Sequence, residues 1–270
     1  MPEIRDPLFR EAVAAIDAGN VPSLERLLRD YPDLVRARVT FGDDAYFSDP
    51  YLLWFVAENP VRNGRLPENI AEVTRVLLRA GAEQAGYTLM LVASGRVPRE
   101  SGVQRELMEV LLDAGADPND ALLPALAHRE RDAVELLLER GARMTVVAAA
   151  CTGRGEELAR LIGDATPVER QMALSGAALY GDAEMLARII AFRDAQPEAI
   201  DLDAYSPEGF HAAATALHHA VDSGSLDAVK TLVEAGVRRD LLDRIYQGTP
   251  LDWAEYLERA EIAAYLHRAS

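Results

Sequence analysis

An apolar pair followed three positions later by glycine recurs along this chain, and it limits what the chain can fold into more than any other feature. The pairs are Leu27-Leu28, Leu77-Leu78, Leu111-Leu112, Leu137-Leu138, Leu161-Ile162, Ile189-Ile190, Leu232-Val233 and, more loosely, Tyr265-Leu266. Glycine follows at Gly81, Gly115, Gly141 and Gly236. Around the seventh pair, Leu217, Ala220 and Val221 fall at helical spacing, and Val229, Leu232 and Val233 do the same. Gly224 can take the left-handed conformation that ends the first of these helices, Ser225 can cap the second with Asp227 in its first turn, and Gly236 closes it. The unit is therefore a helical hairpin with an apolar stripe on each helix. Two short helices cannot cover both stripes, so a neighbouring hairpin must.

The starts of the hairpins carry a second pattern. Thr215, Ala216, Leu217, His218, His219 and Ala220, and again Thr249, Pro250, Leu251, Asp252, Trp253 and Ala254, resemble the Thr-Pro-Leu-His-x-Ala helix start of the ankyrin repeat family, with Thr88 to Ala93 as a weaker echo. The resemblance covers nearly all of the chain. It implies an all-α, ankyrin-type solenoid of about seven to eight helix-turn-helix repeats, here with two longer insertions. It also implies that His218 hydrogen-bonds between adjacent repeats. The expected organisation is a single array over residues 1–270, with an N-terminal cap repeat at 6–30, an aromatic insertion at 41–67, a second insertion at 192–214 and a C-terminal cap repeat at 248–270. At the N-terminal end, Pro7 sits at a first helical position and Leu8, Ala12, Ala15 and Ile16 form the expected stripe. At the C-terminal end, Trp253, Ile262, Ala263 and Leu266 are expected to cover the last apolar face.

Charge narrows the partners. Lys and Arg number 28 against 44 Asp and Glu, a net charge of -16. Such a field repels phosphate backbones and anionic membrane surfaces, which argues against nucleic acid and membrane partners. No basic patch overrides it, since Arg36 and Arg38 are soon followed by Asp43 and Asp44, and Arg129 and Arg131 alternate with Glu130 and Asp132. Cys151 is the single cysteine, so an internal disulfide is excluded, and its small-residue neighbours Ala148, Ala149 and Ala150 mark it as a buried hydrophobe. The N-terminal residues have no basic head leading into an apolar run, and the expected location is cytoplasmic.

Two stretches depart from the repeat. Phe41, Tyr46, Phe47, Tyr51, Trp54 and Phe55 crowd within fifteen positions of a chain that is only 6% aromatic, followed by Arg62, Asn63 and Arg65. Two readings stand: a recognition surface, since rigid aromatics give contact area at low entropic cost, or a small core for the insertion itself. In the second insertion, Asp201, Asp203, Tyr205, Glu208 and His211 lie close together, but their spacing matches neither a calcium loop nor a zinc helix pair, and no metal is expected.

No catalytic chemistry is legible. There is no nucleophile elbow and no glycine-rich phosphate loop, and carboxylate pairs are cheap in so acidic a chain. The expectation is a non-enzymatic, cofactor-free protein-binding module whose contacts come from its concave face and from fingers at 40–49, 83–87, 117–120 and 238–247. The candidate contact residues are Tyr46, Phe47, Tyr51, Trp54, Arg62, Asn63, Asp117 and Tyr246. The field of the chain predicts a partner with a basic patch. The alternative from another class is a small-molecule or peptide pocket under the 41–67 insertion, where aromatics meet Arg62, Asn63 and Arg65.

Overall fold

The computed structural model describes residues 4–41 and 49–268. Every regular element among them is helical, apart from two isolated bridges, Arg38 with Tyr51 and Tyr205 with Thr215. No helix of the described residues is long and apolar enough to cross a membrane. The chain divides into two compact units, Met1–Arg143 and Met144–Ser270.

The first unit contains α1 (Pro7–Asp17), α2 (Val21–Asp30), α3 (Ile70–Arg79), α4 (Ala85–Ala93), α5 (Arg96–Glu100), α6 (Gln104–Asp113), α7 (Pro118–Ala127) and α8 (Arg131–Glu139). Asp6 caps α1 by accepting from the Leu8 and Phe9 amides at 2.8 and 3.0 Å. The buried face of α1 is Phe9, Ala12, Val13, Ala15 and Ile16. The expected stripe is thus corrected by one position at its start, with Leu8 only half-buried and Phe9 in the core, its ring edge-on to Phe55 at 5.5 Å. Between α2 and α3 the first helix of a pair is replaced by a 3₁₀ turn, Leu52–Ala57, that buries Leu52, Leu53, Phe55 and Val56. That turn packs between α1 and α4, and α4 packs on α7; behind them α2, α3, α6 and α8 pack in sequence. The result is two rows of helices, one from the first members of the pairs and one from the second.

The second unit repeats this plan with α9 (Val146–Cys151), α10 (Gly155–Leu161), α11 (Pro167–Leu179), α12 (Ala183–Ala195), α13 (Ala216–Ser223), α14 (Leu226–Glu234), α15 (Pro250–Tyr256) and α16 (Ala260–Arg268). One row runs α9, α11, α13, α15 and the other α10, α12, α14, α16. The stretch 192–214 is no loose finger. Phe192 extends α12, Phe210 is fully buried, Gln171 Nε2 donates to the Asp201 carbonyl at 2.9 Å, and Ser206 Oγ bonds Ser175 Oγ at 2.8 Å.

The recurring glycines close the second helices. Gly81, Gly115, Gly141 and Gly236 have φ between +91 and +98° or, for Gly236, +88°, a region that an L side chain rarely enters. The amide after each one reaches back to a carbonyl five residues earlier: Ala82 to Leu77 at 3.0 Å, Ala116 to Leu111 at 3.2 Å, Ala142 to Leu137 at 2.9 Å and Val237 to Leu232 at 3.4 Å. This bond consumes an orphan carbonyl of the helix end and turns the chain. Ala116, Ala142 and Val237 are thereby buried.

Arg62 holds the irregular second pair together. Its side chain is 5% exposed and lies against Asp17 at 2.6 Å and Glu58 at 2.9 Å. It also donates to the carbonyls of Pro60 and Phe55 and stacks over the Phe55 ring at 4.7 Å. Glu58, fully buried, accepts the amides of Arg62, Asn63 and Gly64 in return. Removing one member of so buried a set strands the others without partners. Arg62→Ala is therefore expected to lower stability by about 3–5 kcal/mol in urea unfolding, whereas a loss under about 1 kcal/mol contradicts this role.

Candidate partner-binding surface

The segment between α14 and α15, residues 238–249, carries three of the exposed large apolar side chains, Leu242, Ile245 and Tyr246. Its fixed point is Asp243, whose backbone and side chain are buried. One carboxylate oxygen, Oδ1, accepts the amides of Ile245 at 2.9 Å and Tyr246 at 2.7 Å; the other, Oδ2, accepts the Gly248 amide at 2.9 Å and Trp253 Nε1 at 3.0 Å. The Asp243 amide closes the loop onto the Gly248 carbonyl at 2.9 Å. Burial pushes the Asp243 carboxyl up, and the N–H donors of Tyr246, Trp253, Gly248 and Ile245 outweigh it, holding the pKa down at about 2.

Neighbouring segments brace this loop. The Arg244 amide donates to the Ala213 carbonyl at 2.9 Å, and its guanidinium stacks over Tyr205 at 3.9 Å. Tyr205 in turn donates its hydroxyl to the Leu242 carbonyl at 2.7 Å, and Asp203 accepts the Arg238 amide at 2.7 Å. Asp201, Asp203 and Tyr205 of the second insertion are thus engaged with backbone, and no group of His, Cys, Asp and Glu among the described residues is arranged to hold a metal ion.

His218 joins the loop to α13. The Thr215 amide donates to His218 Nδ1 at 3.3 Å, so the proton is on Nε2, which donates to the Gly248 carbonyl at 3.1 Å. Burial lowers the His218 pKa against the opposing pull of the Gly248 bond and the Asp243 charge, and the ring is neutral. It also meets the Trp253 ring edge-on at 5.1 Å. The adjacent His219 has a different task. Ser175 Oγ gives its proton to the Gln171 carbonyl at 3.1 Å, Ser206 Oγ gives its own to Ser175, and His219 Nε2 must then be the donor to Ser206 at 2.9 Å. All are buried.

On this frame stand exposed apolar side chains. Ile245 is 66% exposed, Tyr246 81% and, on α15, Tyr256 87%. Tyr246, Trp253, Tyr256 and Leu257 line a groove of ≈ 460 Å³ with Asp222 and Asp252.

The other candidate residues lie in the first unit. Tyr46 and Phe47 fall outside the described residues. Tyr51 and Trp54 are half-buried, with their rings 5.5 Å apart, Trp54 stacked on Tyr87 at 4.3 Å and Arg38 over Tyr51 at 4.9 Å. Arg62 is in the buried ion cluster. Asn63 is exposed and lines an open groove with Arg65, Asp17 and Glu68, in which no described aromatic takes part. Asp117 is exposed and caps α7 through Asn119, whose amide lowers the Asp117 pKa. The segments 83–87 and 117–120 are not fingers, because α4 begins at Ala85 and α7 at Pro118. The structure therefore brings Tyr246 together with Trp253 and Tyr256 in the second unit, while Tyr51, Trp54, Arg62, Asn63 and Asp117 belong to the first. Ile245 and Tyr256 were missed; the signal available was the apolar pair Ile245-Tyr246 set between Asp243-Arg244 and Gln247 in the inter-repeat loop.

Residues 174–269 match the family model described as Ankyrin repeats, in 3 copies. No curated protein matches the chain. The matched region takes in the loop, the groove and α11 from Leu174 onward.

The linkage of Asp243 has a definite sign. Its folded pKa lies below the ordinary 3.8, so the stability it provides is complete above 3.8 and is lost as the pH falls toward about 2. Asp243→Asn is expected to cost about 2 kcal/mol at neutral pH, and the gap to the wild type should close over that acid window in urea titrations. A gap that stays constant to the acid end contradicts the assignment.

Proposed function

We propose that this chain, whose residues 174–269 match the ankyrin-repeat model, is a non-enzymatic protein-recognition module, and that a partner docks on the 238–249 loop and the adjoining face of α15. Ankyrin repeats generally mediate protein–protein interaction and are generally non-enzymatic. The observation that carries the reading is the pair Ile245 and Tyr246, which stand in solvent on a loop fixed by a buried carboxylate. Large apolar side chains held in place before binding lose little entropy when a partner covers them, which is the property of interface anchors. The net charge of -16 favours a partner with a basic patch, with association that weakens as salt screens the field.

The test is affinity capture with the full chain as bait at low and high salt, beside an Ile245→Ala/Tyr246→Ala double variant. The wild type is expected to retain one stoichiometric partner that salt releases. The double variant is expected to lose it while melting at the wild-type temperature, since both side chains are exposed. Equal retention by the two baits contradicts this docking surface.

A further inference from the structure

We infer that the groove between the 238–249 loop and α15 receives a cationic side chain, a lysine ammonium or an arginine guanidinium, from an extended basic segment of the partner. The inference rests on the reading of this surface as a recognition site and names the chemistry it recognises. Three observations converge on it.

The first is composition. Tyr246, Trp253 and Tyr256 line one groove in a chain that is 6% aromatic. The negative face of an aromatic ring attracts a cation within about 6 Å of its centroid, and tryptophan and tyrosine do this best.

The second is charge. Asp222 and Asp252 line the same groove. Asp252 accepts from the Thr249 hydroxyl at 2.6 Å and the Thr249 amide at 2.7 Å, and these bonds lower its pKa and keep it ionised. A neutral apolar ligand here strips water from carboxylates without replacing it, and an anion is repelled. A cation satisfies rings and carboxylates together. On the rim, Arg259 donates to the Asp222 main-chain carbonyl at 3.3 Å.

The third is a contrast within the molecule. Elsewhere the chain places its own arginines on its rings: Arg38 over Tyr51 at 4.9 Å, Arg62 over Phe55 at 4.7 Å, Arg170 over Phe192 at 5.3 Å and Arg244 over Tyr205 at 3.9 Å. Among the described residues none stacks on Tyr246, Trp253 or Tyr256, and Tyr246 and Tyr256 are the two most exposed large apolar side chains. An outside cation completes the pattern that the chain completes for itself elsewhere. The Trp253 indole is already oriented, by its bond to Asp243 and by the His218 ring, so that ring needs little reorganisation.

The experiment is a titration of the ¹⁵N-labelled full chain with capped glycine-serine peptides bearing three lysines, three arginines or three norleucines, followed at the indole Nε1–H signals. The chain has two tryptophans, so Trp54 serves as the internal reference. The lysine or the arginine peptide is expected to shift Trp253 and not Trp54, with the stronger of the two identifying the cation, and added salt is expected to weaken it. Norleucine keeps the alkyl chain without the charge and is expected to bind about tenfold more weakly. Tyr256→Ala is expected to lose about tenfold in affinity and Tyr256→Phe to keep it, both at the wild-type melting temperature. Norleucine binding as well as lysine, or a Trp253 signal that no peptide moves, overturns the inference. If that happens while the Ile245→Ala/Tyr246→Ala bait still loses its partner, the recognition module stands and only the cationic ligand is wrong.

Discussion

A hairpin of helices between six and thirteen residues long has two apolar stripes and only one internal contact face, so each pair depends on the next. That dependence dictates the two rows in each unit. It also dictates the turns, because a second helix must end abruptly enough for the following pair to begin beside it, and the left-handed glycine with its backward hydrogen bond achieves that within one residue. Close packing imposes a further demand in the row of first helices. A Cβ on Gly176 of α11 would lie 2.6 Å from Cys151 Sγ of α9, so the two helices approach only because that position has no side chain. Cys151 serves there as a small buried hydrophobe.

In the second unit the same stacking builds a braced inter-repeat loop. The Gly248 carbonyl receives His218 and its amide binds Asp243 Oδ2, while Trp253 donates to that same oxygen and touches the His218 ring. One buried network therefore ties α13, the inter-repeat loop and α15 into a unit. A buried carboxylate with four N–H donors is a stable arrangement, whereas the same group unpaired would be costly. The loop can consequently hold Ile245 and Tyr246 in water without surrendering its own geometry, and the proposed recognition surface is a by-product of how the repeats are joined.

Much of this was readable in the sequence, for physical reasons. Gly81, Gly115, Gly141 and Gly236 announce helix ends because few other residues tolerate that backbone, and Thr215 with His218 announces a helix start that bonds forward to the next pair. The ends of first helices were harder to see, since Arg129 and Glu258 occupy left-handed positions with φ of +57° where no glycine signals the turn. The 3₁₀ turn at Leu52–Ala57 has the apolar composition of a helix, and the Arg62 and Glu58 cluster beside it joins Asp17, too far off in sequence for any local pattern to reveal. Tyr246 was legible as a loop aromatic. Its companions Trp253 and Tyr256 were not, because the helical period assigned Trp253 to covering the core, while the structure leaves it half-buried at the groove. Ile262 and Leu266 do take up the covering role.

The 238–249 loop is a fixed platform, not a mobile one, although Ile245 and Tyr246 are among the most exposed large apolar side chains of the described residues. Residue-resolved amide hydrogen exchange on the full chain tests this directly, because the amides of Ile245, Tyr246 and Gly248 are the donors to Asp243. The account predicts that these three amides are protected to within about 1–2 kcal/mol of those in α13. Exchange at the rate of an unstructured loop would contradict it.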